Sequence, residues 1–295
     1  MSHGWRAPEP LAAENLLIDI LRKSEDFLAK KGIASPRLEA QLIFAHFLGL
    51  KRIEIFTQPD RPLVPAELET LRNAIVQKSQ GMPTAQILGS KDFYGRTFKV
   101  TADVLIPRPE TEELVEQALK EMPKPRKIAD AGAGTGCIGI TIAIETQAPS
   151  LLLLDISPAV LTVAVENARA LLDQAVTEVT GVEADFTQAG LRLEEGVDLF
   201  ISNPPYVLGD EYADLDRTVR DYEPRLALVA DDFEFLHRQL IACAMENLNA
   251  GGLFALETHP AKTTEVAAWA REAGFTRVEI RNDLAARPHF IFARR

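Results

Sequence analysis

The stretch KIADAGAGTGCIG, Lys127 to Gly139, decides the fold. KIADA is a short apolar run that reads as a buried strand, and Cys137–Thr146 behind it carries a helical pattern. Between them Gly132, Gly134 and Gly136 form a G-x-G-x-G turn. Residues without Cβ let the backbone turn tightly and approach a ligand, and the helix that follows points its first amides at that ligand. A dinucleotide turn wants glycine at the sixth place, where this chain has Cys137, which counts against NAD. Taken alone, the turn also fits a strand-to-helix connection that binds nothing.

Outward from this stretch the chain alternates strand and helix. LLLLD, VTGVEAD and VDLFIS follow as strands, with a helix at Pro158–Leu172. A long polar loop leads to a helix near Phe233–Leu248, the strand GLFALE, a helix at Ala261–Ala273, and the strands FTRVEIR and PHFIFARR. Such alternation predicts right-handed crossovers and an α/β, mainly parallel, doubly wound Rossmann-like sheet. Only a loop separates the last two strands, so one of them runs antiparallel near the C-terminus.

Upstream, the first eighty or so residues read as a small helical bundle. Leu11 to Lys30 repeats apolar residues at helical spacing (Leu16, Leu17, Ile20, Leu21, Phe27, Leu28) and stops near Gly32. Ser35-Pro36 reads as an N-cap and first-turn proline, followed by a buried stripe of Leu38, Leu42, Ile43, Phe44, Phe47 and Leu48. Pro65 to Gln80 makes a third helix, with Gly81 just past its end. AQILG, DFYG and TFKV then read as β-type pieces of a hairpin, and Glu110–Lys120 is helical again. The expected organisation is a helical bundle over 1–82, a β-hairpin linker over 83–103, and the α/β domain over 104–295.

Composition bounds the function. With 295 residues, 46% hydrophobic and 25% charged, the chain can bury a large core plus a small one. No apolar run of about 18 residues and no signal-peptide layout is present, so the expected location is cytoplasmic, with no membrane partner. Cys137 and Cys243 are too few for a disulfide framework or a zinc site, and no metal is expected. The net charge of -11 argues against broad nucleic-acid binding.

Ligands in such sheets bind at the carboxyl ends of the strands. Asp155 ends the second strand, before a Ser157-Pro158 helix cap, where a carboxylate can accept from both hydroxyls of an adenosine ribose. Asp185 and Phe186 end the third, where an acid can meet an adenine amino group and a ring can lie beside the base. The fourth delivers NPPY, Asn203 to Tyr206. Asn203 offers a side-chain oxygen and Pro204 its carbonyl, two adjacent acceptors on a stiff backbone that suit an NH2 group. Tyr206 can close over a planar π-system. Accepting both N–H bonds orients a delocalised nitrogen and favours the positive charge that develops during its attack.

This order of motifs resembles the class I S-adenosylmethionine-dependent methyltransferases that modify planar nitrogens. LIPRPETEELVEQAL at Leu105–Leu119, FYGRTFKV upstream, NPPYV, and YEPRLAL at Tyr222–Leu228 are similar to the PrmC/HemK family, which methylates the glutamine in the GGQ loop of class I peptide chain release factors. The resemblance covers nearly the whole chain and implies a substrate-recognising helical domain ahead of a methyltransferase domain. It implies that Gly132, Ala133, Gly134, Thr135, Gly136, Asp155, Asp185 and Phe186 bind S-adenosylmethionine and its product S-adenosylhomocysteine. It further implies that Asn203, Pro204, Pro205 and Tyr206 hold the substrate glutamine, with Asn203 close to the methyl donor and Arg108 and Glu110 shaping the pocket mouth. The glycine turn departs from the family's DLGTGSG-like form, and THPAK after GLFALE stands where relatives tend to carry a glycine and a glutamine.

The acidic segment Leu208–Asp232 reads as a solvated face; lying beside NPPY, it would favour a basic protein loop over a phosphate backbone. Three other readings stay open. One is a glutamine methyltransferase of a ribosomal protein, which typically has PRSPI-like residues at the place of PRPETE. The others are a nucleic-acid amine methyltransferase and a non-catalytic adenosine-binding adaptor.

Overall fold

The computed structural model describes residues 15–186, 188 and 191–295. Residues 11–14 of the first expected helix lie outside the described residues. Contacts divide the chain into two compact units, the first ending at Leu88 and the second running from Gly89 to Arg295.

In the first unit, α1 (Leu17–Lys30), α2 (Pro36–Phe47), α3 (Glu54–Thr57), α4 (Pro65–Ser79) and α5 (Thr84–Leu88) surround one apolar core. Leu17, Leu21 and Leu28 of α1 pack on Ala40, Ile43 and Phe44 of α2 and on Leu71, Ala74 and Ile75 of α4. Leu38, read as part of the buried stripe, instead lies at the surface, as does Phe27 of the α1 repeat. Ser35 holds a left-handed φ of 53° and makes no side-chain cap bond, so Pro36 at the first helical position starts α2 without it. AQILG is helical rather than extended. A stretch of five residues is too short to show a period that separates the two, and here it packs Ile87 and Leu88 on the bundle core.

The second unit opens with the hairpin β1 (Ser90–Phe93) and β2 (Arg96–Lys99). Tyr94 and Gly95 both take positive φ, as a two-residue turn matched to strand twist requires. Phe93 and Phe98 bury themselves against α6 (Pro109–Glu121) and its neighbours. The chain then runs β3 (Lys127–Ala131), α7 (Cys137–Thr146), β4 (Ser150–Asp155), α8 (Pro158–Leu171), β5 (Glu178–Glu183), β6 (Val197–Ser202). The polar segment that follows is not a plain loop. It holds β7 (Val207–Leu208), α9 (Arg217–Arg220), α10 (Arg225–Leu228) and β8 (Val229–Ala230), with β7 and β8 paired in parallel. Last come α11 (Phe233–Asn247), β9 (Leu248–Glu257), α12 (Thr263–Glu272), β10 (Thr276–Asn282) and β11 (Pro288–Arg294).

Seven strands form one sheet in the order β10-β11-β9-β6-β3-β4-β5. All neighbours pair in parallel except that β11 runs antiparallel to both β9 and β10. The apolar runs are continuous because both faces are covered. Ile128, Leu151, Leu153, Leu199 and Ile201 enter the core shared with α6 and α7, while Ala129, Leu152, Leu154 and Phe200 enter the core shared with α11 and α12. Strand order reverses between β3 and β6, and that switch point is where such sheets leave a crevice.

Candidate active site

A cavity of about 600 Å³ opens at this switch point, beyond the carboxyl ends of β3, β4 and β6. That volume suits a nucleoside-sized ligand with part of a second group. Gly132, Ala133, Gly134, Thr135, Asp155, Asp185, Phe186, Asn203, Pro204 and Pro205 all line it. Arg108 and Thr111 from the PRPETE segment join them, with Ile156, Leu226 and Phe235 as apolar walls. Gly136, Tyr206 and Glu110 are not among the lining residues.

The glycine turn is fixed by its backbone. Gly132, Gly134 and Gly136 have φ of 72°, 55° and 77°, a region that side-chain-bearing residues rarely occupy. A Cβ at Gly136 would also come within 2.7 Å of Ile140 Cδ1. Gly139, one turn into α7, is needed for contact instead: a Cβ there would meet Asp130 Cβ and Leu151 Cδ1 at 2.8 Å. Asn167 of α8 braces the turn from behind, donating to the Thr135 carbonyl at 2.9 Å and accepting from the Lys99 amide at 2.7 Å. The hairpin thereby supports the ligand-facing turn.

Asp155 accepts from Gly134 N–H at 3.2 Å and from Ser157 N–H at 3.0 Å. Burial raises its pKa, against the lowering effect of these backbone bonds. Each carboxylate oxygen keeps a second lone pair, so the group can still accept from a diol. Asp185 accepts from Gln188 Nε2 at 2.9 Å. Cys137 also lines the cavity, but burial pushes its thiol up to about 12, which removes it as a nucleophile.

At the end of β6, Asn203 donates through Nδ2 to Thr111 Oγ1 at 3.1 Å. Its Oδ1 is buried and has no hydrogen-bond partner, on a residue that lines the cavity. A buried acceptor left open in this way is uncommon and marks a place for a donor. Thr111 Oγ1 in turn donates to Glu257 Oε2 at 2.9 Å. Glu257 ends β9, fully buried, and register brings it beside Asn203 because Ser202 pairs with Leu256. Tyr206 donates its hydroxyl to Glu257 Oε1 at 3.2 Å and meets His289 edge-on at 5.7 Å between ring centroids. Burial and the Glu257 carboxylate raise the phenol's pKa. The ring therefore stands beside the Asn203 network rather than over the cavity.

Arg108 reaches Glu223 Oε1 at 2.6 Å, and Glu223 Oε2 accepts from Ile106 N–H at 3.0 Å. The PRPETE and YEPRLAL segments are thus tied to each other across the cavity wall. Within the acidic segment, Asp221 pairs with Arg217 and Arg220, and Asp231 with Arg225, so part of its charge is neutralised internally, while Glu211 Oε2 lies 3.2 Å from His259 Nε2. Sequence reasoning gave Thr111 and Glu257 no role of their own. The signal for Glu257 was present, since it ends a buried strand on the same edge as Asp155 and Asn203.

Two family models match the chain: the PrmC N-terminal domain over residues 19–89 and the methyltransferase small domain over residues 110–221. The chain is 39% identical to the release factor glutamine methyltransferase of Nitratidesulfovibrio vulgaris over 280 residues, 94% of each chain. It is 34% identical to that of Leptospira interrogans over 282 residues, 95% of this chain and 98% of the relative. The solved structure of a methyltransferase from Pyrococcus furiosus aligns with a TM-score of 0.50 at 14% identity, covering 76% of this chain and 96% of that one, a likeness of fold.

Proposed function

The chain belongs to the release factor glutamine methyltransferase family, and from that premise we propose that it methylates the side-chain amide nitrogen of the GGQ glutamine of class I peptide chain release factors, with S-adenosylmethionine as donor. The observation that carries this reading is Asn203 Oδ1, a buried acceptor without a partner on a residue that lines the cavity. A glutamine carboxamide brings the two N–H donors that Asn203 Oδ1 and the Pro204 carbonyl can receive. Their acceptance holds the nitrogen in one orientation and favours the positive charge it gains as it attacks.

The residues present fit the donor. Asp155 offers lone pairs to the ribose hydroxyls, Phe186 and Ile156 offer apolar surface to the base, and the glycine turn, without Cβ atoms at 132 and 134, lets the backbone come close to the ligand. When bound, S-adenosylmethionine supplies an electrophilic sulfonium methyl, and the glutamine nitrogen is the group that accepts it. Prolines 204 and 205 stiffen the segment, so the two acceptors lose little freedom when substrate arrives.

The test is mass spectrometry of intact release factor after incubation with S-adenosylmethionine. One methyl on the GGQ glutamine is expected, with poor activity on a short GGQ peptide, because remote contacts supply orientation as well as binding. Equal efficiency on peptide and whole factor, or on DNA, would overturn the reading.

A further inference from the structure

We propose that Thr111, held by Glu257, is the positioning residue that sets which end of the Asn203 carboxamide faces the substrate. The inference rests on the reading that Asn203 meets the glutamine amide. An asparagine side chain is nearly symmetric in shape, so nothing steric stops it from turning its NH2 group toward the cavity and its oxygen away. Turned that way, it would set donor against donor and repel the substrate's NH2. What decides the matter is where the Thr111 proton goes.

Glu257 is fully buried and is met by Thr111 Oγ1 at 2.9 Å, Tyr206 OH at 3.2 Å and His289 Nε2 at 3.4 Å. A carboxylate only accepts, so the Thr111 hydroxyl spends its single hydrogen on Oε2. Its oxygen is then left as an acceptor, and only the Nδ2 end of Asn203, 3.1 Å away, can satisfy it. Oδ1 is thereby turned away from Thr111 and stands buried without a partner, on a residue that lines the cavity. Thr111 is 92 residues from Asn203 in sequence and Glu257 is 146 from Thr111, so three elements, α6, β6 and β9, converge to fix one amide. Tyr206 and His289 keep Glu257 in place from its other oxygen.

Thr111→Val keeps the shape and removes the hydroxyl, whereas Thr111→Ser keeps the hydroxyl. Single-turnover methylation of intact release factor at saturating S-adenosylmethionine should fall about tenfold to a hundredfold in Thr111→Val and recover to within about threefold of wild type in Thr111→Ser. The dissociation constant for S-adenosylhomocysteine should move by less than about twofold in both, because the donor-facing residues are untouched. In an Asn203→Ala background, Thr111→Val should cause no further loss, since the amide it orients is gone. A second readout needs no substrate: the Asn203 side-chain NH2 signals in a proton–nitrogen spectrum, assigned by their loss in Asn203→Ala, should shift in Thr111→Val and return in Thr111→Ser. A Thr111→Val rate near wild type, an equal loss in the Asn203→Ala background, no rescue by serine, or unmoved NH2 signals would each overturn the proposal. Wild-type protein that methylates no release factor would overturn the functional reading instead, and the NH2 signals would still decide this one.

Discussion

The amide of Gly134 donates to the carboxylate of Asp155 at 3.2 Å, joining the ligand-facing turn after β3 to the end of β4. One acid therefore braces the glycine turn and, under the proposed function, has a second task, presenting lone pairs to a ribose. Asp155→Ala should weaken S-adenosylhomocysteine binding by about tenfold to a hundredfold, the loss of charge-assisted hydrogen bonds worth about 1.5–3 kcal/mol. Titration calorimetry measures it. An unchanged dissociation constant would leave Asp155 with only the turn to hold.

Asp130, fully buried on the α7 side of β3, accepts from Gly139 N–H at 2.8 Å, while its Oδ1 has no partner. Burial pushes its carboxyl up to about 8, outweighing the Gly139 bond. Its folded-state pKa lies above the unfolded one, so the protonated form is favoured by folding. That stabilisation is complete below the unfolded value near 4 and is lost as pH rises through about 8. Calorimetric melting temperatures of wild type should fall between pH 5 and pH 8.5 by several degrees more than those of Asp130→Asn, whose side chain does not titrate. Parallel curves for the two proteins would sink the idea.

Much of the fold could be read from residue order, because the central parallel strands β3, β4 and β6 are apolar runs that feed both cores, and α7 and α8 start at a glycine turn and a proline. The places of Asp155 and of Asn203, Pro204 and Pro205 at the cavity were legible for the same reason: the carboxyl end of a strand is a position that sequence specifies. What escaped reading is set by distant partners or by segments too short to show a period. Thr111 gains its role only through Asn203 and Glu257, on other elements. The four-residue helices α9 and α10 are single turns, capped by Asp216 and begun after Pro224, and show no apolar repeat. Tyr206 was read as closing over the substrate from its place in NPPY, yet the buried Glu257 draws its hydroxyl sideways.

The tie between Arg108 and Glu223 should matter for stability more than an exposed ion pair does. The Glu223 side chain is 1% exposed and accepts both the Arg108 guanidinium and the Ile106 amide. Glu223→Ala leaves that amide and that cation without their acceptor and should cost about 3 kcal/mol of unfolding free energy. Glu223→Gln keeps one acceptor and should cost about half as much. Urea unfolding monitored by circular dichroism gives both values; equal, negligible losses would mean that water replaces the carboxylate freely.

Under the proposed function, a variant of Asn203 separates holding the substrate from holding the donor. Its Oδ1 is a buried acceptor without a partner, while Pro204 has a backbone carbonyl that a side-chain substitution leaves in place. Asn203→Ala should therefore remove one preorganised partner from the transition state, at a cost of about 2.7–4 kcal/mol, or roughly a hundredfold to a thousandfold in single-turnover rate. S-adenosylhomocysteine binding should weaken far less, because Asp155, Phe186 and the glycine turn stay as they are. The two measurements on one variant decide between roles. A methylation rate near wild type would reduce NPPY to the end of a strand, and an equal collapse of cofactor binding would move Asn203 to the donor side of the cavity.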